Sequence, residues 1–253
     1  MLPVIEVSHL TRMYGPRAAV KDLSFTVEDG QIYGLLGPNG AGKSTIMNIL
    51  AGYLAATSGT VTVCGHPLPE EAAAARACIG YLPETPPLYP EMTVEEYLRF
   101  AAALKGVRRG ERAAQVEQAA RRTGLAGVMP RLIRNLSKGY RQRVGIAQAL
   151  LGSPSIIILD EPTVGLDPAQ VIEIRRLIRQ LGKSHTVILS SHILSEVQAV
   201  CTRVLILSHG QLAASGDLAS LTAGGSLEER FLELTGGESE EEPITGTGEE
   251  DAT

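Results

Sequence analysis

The chain has no tryptophan, and its 253 residues include only three phenylalanines and three cysteines. With hydrophobic residues at 44%, the core must be filled mostly by aliphatic side chains. Cys64, Cys78 and Cys201 have no metal-ligand spacing, which argues against a zinc module. They read as reduced, buried thiols of a cytosolic protein. No window approaches the roughly 18 consecutive apolar residues of a membrane-spanning helix. The opening MLPVIEVSHL, with Glu6 early, does not read as a signal peptide. The expectation is a cytoplasmic protein that reaches a membrane only through a partner. An excess of one charge is also missing from the body. The formal charge is −5, yet seven acids and no base fall between Glu238 and Thr253. Without them the balance is about +2, which gives no bias toward nucleic acid. The cluster Arg108, Arg109 and Arg112 has Glu111 and Glu117 nearby and no interleaved aromatic set. It reads as a solvated helix face, and no nucleic-acid partner is expected.

The pattern along the chain is α/β. Val4–Val7, Leu23–Val27 and Ile32–Leu36 are β-rich and too close together for helical crossovers, so an antiparallel β subdomain is expected at the N-terminus. Gly59–Val63 and Ile79–Leu82 are further strands. Residues 85–135 begin with three prolines and a capping box from Thr93 to Glu96, then become rich in Ala and Arg. They read as an inserted α-helical subdomain. Strands at Ile156–Leu159 and Thr186–Leu189 then alternate with helices near Tyr140–Leu151, Ala169–Leu181 and Leu194–Cys201. A hairpin, Val204–Leu207 with Leu212–Ser215, and a capped helix, Ser226–Gly236, follow. Such alternation implies a mostly parallel central sheet. Residues 1–236 are expected to form one domain, and 237–253 an acidic, disordered tail.

GPNGAGKS, Gly37 to Ser44, follows a predicted strand and opens a predicted helix whose buried face is Ile46, Met47, Ile49 and Leu50. That context identifies a phosphate-binding loop. Gly37, Gly40 and Gly42, with Pro38, Asn39 and Ala41, let backbone N–H groups wrap a triphosphate at a helix N-terminus. Lys43 is placed for the β- and γ-phosphates, Ser44 offers a hydroxyl to Mg²⁺, and Thr45 beside it is expected to be a further ATP-binding residue. The loop alone leaves kinases, GTPases and motors open, although no Asn-Lys-x-Asp base-reading motif occurs. Downstream, IIILDEPT places Asp160 and Glu161 at the end of an apolar strand, where ligands bind in such sheets. Asp160 is read as part of the Mg²⁺ shell and Glu161 as the general base for water. Pro162 is expected to hold Glu161 extended. LSKGYRQRVG, Leu136 to Gly145, reads as a capped, positive helix start.

Taken together and in order, these motifs resemble the nucleotide-binding subunit of an ABC transporter, over about Val4 to Gly236. GPNGAGKST looks like that family's Walker A and IIILDEPT its Walker B. LSKGYRQR resembles the signature, GLD (Gly165–Asp167) the D-loop and SSH the switch histidine, His192. The resemblance implies that Tyr14 stacks on adenine and His192 meets the γ-phosphate. It implies that Ser137 and Gly139 contact the nucleotide of a second copy, and that Asp167 touches that copy. Two positions depart from the family's pattern. Glu84 replaces a glutamine that meets Mg²⁺ or the attacking water, and Lys138 and Tyr140 replace glycine and glutamine in the signature. The implied activity is hydrolysis of ATP with Mg²⁺ in a head-to-tail dimer, a homodimer or a pair of related ATPases. That dimer would drive separate membrane permease subunits from the cytoplasmic face. The ending SLEERFLELTGG resembles the exporter branch that includes drug, polysaccharide and gliding-motility systems. Two other readings are a soluble ABC ATPase acting on ribosomes or nucleic acid, and a regulatory module without turnover. The single phosphate loop without sustained heptads disfavours the first. Intact Lys43, Asp160, Glu161 and His192 disfavour the second.

Overall fold

The computed structural model describes residues 3–236; the expected acidic tail lies outside the described residues. Two long strands, β1 (Pro3–Tyr14) and β2 (Arg17–Glu28), form an antiparallel hairpin. After β3 (Ile32–Leu36) come helix α1 (Lys43–Leu50), strands β4 (Ser58–Val63) and β5 (His66–Leu68), helix α2 (Ala72–Ala77) and strand β6 (Ile79–Leu82). The first sheet has the order β2-β1-β4-β5 and is antiparallel throughout.

Between β6 and the next strand lie helices α3 (Val94–Leu104) and α4 (Arg112–Arg122), two short 3₁₀ turns and helix α5 (Lys138–Leu150). Thr93 accepts from the Glu96 N–H and Glu96 reaches back to the Thr93 N–H, so the expected capping box is present. The remaining elements are β7 (Ile156–Leu159), α6 (Pro168–Leu181), β8 (Thr186–Ser191), α7 (Leu194–Val200), β9 (Arg203–Ser208), β10 (Gln211–Asp217), α8 (Leu218–Leu221) and α9 (Leu227–Thr235). The second sheet has the order β10-β9-β3-β8-β7-β6, with only the β9–β10 pair antiparallel.

Strand β3 departs from the expectation that it belongs to the antiparallel subdomain. It pairs in parallel with β8 and β9 in the second sheet. The short link from β2 does exclude parallel pairing between those two strands, but it leaves β3 free to pair with strands from the far end of the chain. The turn between them is pinned to β8, because the Gly30 N–H donates to Thr186 Oγ1 and that hydroxyl donates to Asp29 Oδ1. All five residues of β3 are buried, as a strand covered on both faces requires. The thiols also differ from expectation: Cys201 is buried, but Cys64 and Cys78 are half-buried, one just after β4 and the other capping α2.

Alternate residues of β7 feed two cores. Ile156 and Ile158 pack with α1 and the first sheet, while Ile157 and Leu159 pack against the helical side. Helix α5 lies directly over β6, since a Cβ on Gly80 would collide with the carbonyl oxygen of Ala149 and come within 3.1 Å of Pro154 Cγ. Glycine is therefore required there. Gly80→Val is expected to cost roughly 2–3 kcal/mol, or about 5–10 °C in Tm for a chain of this size, measured by thermal unfolding.

Candidate nucleotide-hydrolysing site

The loop between β3 and α1 is shaped by close backbone approaches. A Cβ on Gly37 would lie 2.8 Å from the Leu207 carbonyl oxygen of β9. Gly42 has φ 100 and a Cβ there would lie 2.6 Å from the Ala19 carbonyl oxygen of β2. Gly42 is also the N-cap of α1, and no side chain caps that helix. Its first-turn N–H groups and dipole are thus available to an anion. Lys43 is buried, with Nζ donating to the carbonyls of Gly37 (2.7 Å) and Pro38 (3.1 Å). Burial lowers the Lys43 pKa, and the carboxylates of Glu161, Asp160 and Glu84 oppose that shift. Ser44 is exposed beside it.

The opposite wall comes from the ends of β7 and β8. Asp160 continues the ladder beyond β7, its N–H donating to the Leu82 carbonyl at 2.9 Å. Ser190 Oγ donates to Asp160 Oδ1 at 2.6 Å and accepts from the Glu161 N–H at 2.8 Å. Glu161 has φ 46, so it is left-handed rather than extended as Pro162 suggested. The bond to Ser190 and the side chain's own partners override the local preference. Glu161 Oε1 lies 3.9 Å from Lys43 Nζ, and Oε2 lies 3.0 Å from His192 Nδ1.

Between these two walls lies a cleft of about 540 Å³. Asn39, Gly40, Gly42, Lys43, Ser44 and Thr45 line it from the loop, and Glu84, Glu161 and His192 from the sheet end. Tyr14 stands at its rim, 49% exposed, with the Arg12 guanidinium 4.8 Å from its ring centroid. Gly37, Pro38 and Ala41 shape the loop without lining the cleft, and buried Asp160 sits behind it. Sequence reading missed Arg17, which lines the cleft and pairs directly with Tyr14 across the β1–β2 turn. The signal was the hairpin register, which sets Arg17 opposite Tyr14. It also missed the role of Ser190, visible only once β7 and β8 are known to be neighbours.

Ser137, Gly139 and Asp167 do not line the cleft. Ser137 caps α5, accepting from the Tyr140 N–H at 3.4 Å, and Asp167 caps α6, accepting from the Gln170 N–H at 2.9 Å. The Lys138 ammonium lies against Gly165, so any side chain at 165 would meet it. Gly139 is likewise covered by the Gln170 side chain. The two helix starts are therefore packed together.

A family model described as ABC transporter matches residues 20–164, more than half of the chain. The chain belongs to the ABC transporter family. The Nod factor export ATP-binding protein I of Paraburkholderia xenovorans (strain LB400) is 36% identical over 220 residues, covering 87% of this chain and 72% of that protein. A solved ATP binding subunit of an ABC transporter is 32% identical with a TM-score of 0.82, covering 91% of this chain and 99% of that one. The dimeric MJ0796, a bacterial ABC transporter cassette, is 26% identical with a TM-score of 0.77, covering 85% and 98%. As an ABC cassette the protein binds and hydrolyses ATP as the ATP-binding subunit of a transporter. No helix among the described residues is long and apolar enough to cross a membrane.

The ABC loop geometry carries its own test. Gly42→Ala places a methyl against the Ala19 carbonyl at a φ that disfavours any side chain. It is expected to destabilise the protein by more than about 1 kcal/mol and to weaken ATP binding, measured by thermal unfolding and by nucleotide titration.

Proposed function

We propose that the cleft holds Mg-ATP in one orientation, with Glu161 as the general base that activates water. The observation that carries this reading is the placement of Glu161 between Lys43, at 3.9 Å, and His192, at 3.0 Å, at the mouth of a helix whose N-terminus no side chain caps. Lys43 and the loop N–H groups would neutralise the β- and γ-phosphates, and Tyr14 would stack on the base. The residues present fit a magnesium ion, because Ser44, Asp160 and Glu84 offer only hard oxygen donors. Asp160 is already oriented by Ser190. The ion, when bound, supplies charge neutralisation at the γ-phosphate. Glu161 would take the proton from the attacking water, and His192 would hold that carboxylate in place and face the γ-phosphate.

Ser137, Gly139 and Asp167 would complete the site of a second copy, in a head-to-tail pair of this chain or of related ATPases. Their position away from the chain's own cleft supports this, as does likeness to a cassette solved as a dimer. Residues 1–236 would act as one ATPase domain, with 85–135 as its inserted helical part.

A second groove, of about 560 Å³, carries Tyr53, Tyr81, Tyr89, Tyr97 and Phe100, half of the chain's ten aromatic residues. Tyr53, Tyr89 and Leu104 are exposed there. It would seat a membrane permease subunit and hold the cassette at the cytoplasmic face of the membrane. The similarity to a Nod factor export protein supports export as the direction of transport.

Glu161→Gln is expected to bind ATP, stall hydrolysis and accumulate dimer in saturating Mg-ATP. Light scattering that shows only monomer would overturn the two-copy site. Lys43→Ala removes a charged donor from the phosphates and is expected to weaken ATP binding by roughly tenfold or more, measured by titration; unchanged affinity would remove Lys43 from the site.

A further inference from the structure

Three acids are buried among the described residues, Asp160, Glu161 and Glu196. The first two belong to the cleft. Glu196, on α7, lines neither the cleft nor the aromatic groove, yet it is only 4% exposed. A buried carboxylate is costly unless hydrogen-bonded, and Glu196 is well supplied. Its Oε2 accepts from Thr163 Oγ1 at 2.5 Å and from Ser191 Oγ at 3.1 Å, while Oε1 lies 3.8 Å from Arg175 Nη2 of α6.

Those two hydroxyls stand at informative places. Thr163 is two residues after Glu161, and Ser191 immediately precedes His192. One carboxylate oxygen therefore ties together the two loops that carry the Glu161–His192 contact. Ser191 Oγ also accepts from the Ile193 N–H at 3.0 Å, closing the turn around His192. Adjacent residues of a strand face opposite ways. Ser190 thus holds Asp160 and the Glu161 N–H from one face of β8, and Ser191 engages Glu196 from the other. A left-handed, non-glycine residue such as Glu161, with φ 46, persists only where its surroundings over-determine it. The bond to Ser190 fixes its N-terminal side, and the Thr163–Glu196 bond fixes the chain beyond it.

We propose that Glu196 is a positioning residue for hydrolysis, clamping the loops after β7 and β8 so that Glu161 stays in its left-handed conformation against His192. The inference rests on the assignment of Glu161 and His192 to the hydrolytic step. Glu196 touches neither nucleotide nor water in this reading. It acts on turnover by holding the two loops, and it leaves the phosphate loop unaffected.

The test uses the full chain and compares steady-state ATP hydrolysis of Glu196→Gln, Thr163→Val, His192→Ala and the double variant His192→Ala with Glu196→Gln. Thr163→Val keeps the side-chain shape and deletes only the hydroxyl, so it reports on the clamp even if Glu196→Gln folds poorly. Both clamp variants are expected to lower kcat by roughly ten- to a hundredfold, the scale of a lost charge-assisted hydrogen bond. The KM for ATP should stay within about twofold, because phosphate-loop binding is untouched. The double variant should be no slower than the slower of its two parents, since both act on one contact. Losses that multiply in the double variant, or clamp variants with unchanged kcat, overturn the proposal. If His192→Ala alone leaves kcat unchanged, the assignment of His192 fails first and the clamp falls with it. A fall in kcat after Thr163→Val that only mirrors a lowered Tm at the assay temperature also overturns it.

Discussion

The site depends on one constraint: β3, β7 and β8 run parallel and side by side, with both faces buried. Parallel order sends their C-terminal ends to the same edge of the sheet. The phosphate loop leaves β3, Asp160 and Glu161 follow β7, and His192 follows β8. Burial on both faces fixes register, because a slip by one residue would exchange the side chains facing the two cores. Ile156 with Ile158 and Ile157 with Leu159 divide between those cores. The separation of Lys43, Glu161 and His192 is therefore set by hydrophobic packing well away from the cleft.

Polar groups at that edge are costly to bury and are accordingly cross-linked. Ser190 serves both acids, two carbonyls of the loop hold Lys43, and His192 meets Glu161. The result is a preorganised electrostatic arrangement, in which the charges of Lys43, Glu161 and His192 lie close enough to offset one another within the protein. Lys43 shows the balance: burial pushes its pKa down, while three carboxylates oppose that shift and favour the ammonium. The strained φ of Glu161 fits the same picture, as local conformation yields to the bonds around it.

Much of the fold was legible because its signals are local. The capping boxes at Thr93 and Ser226 are made by residues three apart, and both are present. The continuous apolar run of Ile156–Leu159 announced a doubly covered strand. Strand β3 was misplaced because its neighbours in sequence are not its partners in space; β8 and β9 arrive from the other end of the chain. Glu161 was misjudged for a related reason. Pro162 is a nearest-neighbour influence, whereas the bonds from Ser190 and His192 come from about thirty residues away.

By itself the sequence determined the phosphate loop, the paired acids, the order of motifs and the family they belong to, since these are set by residue types at fixed short spacings. Only the tertiary structure decided that Arg17 lines the cleft with Tyr14. It also placed the Lys138 ammonium against Gly165 and gathered Thr163 and Ser191 around the carboxylate of Glu196. Each of these is a meeting between distant segments. Such meetings follow from strand order and helix packing, which no short window of residues encodes.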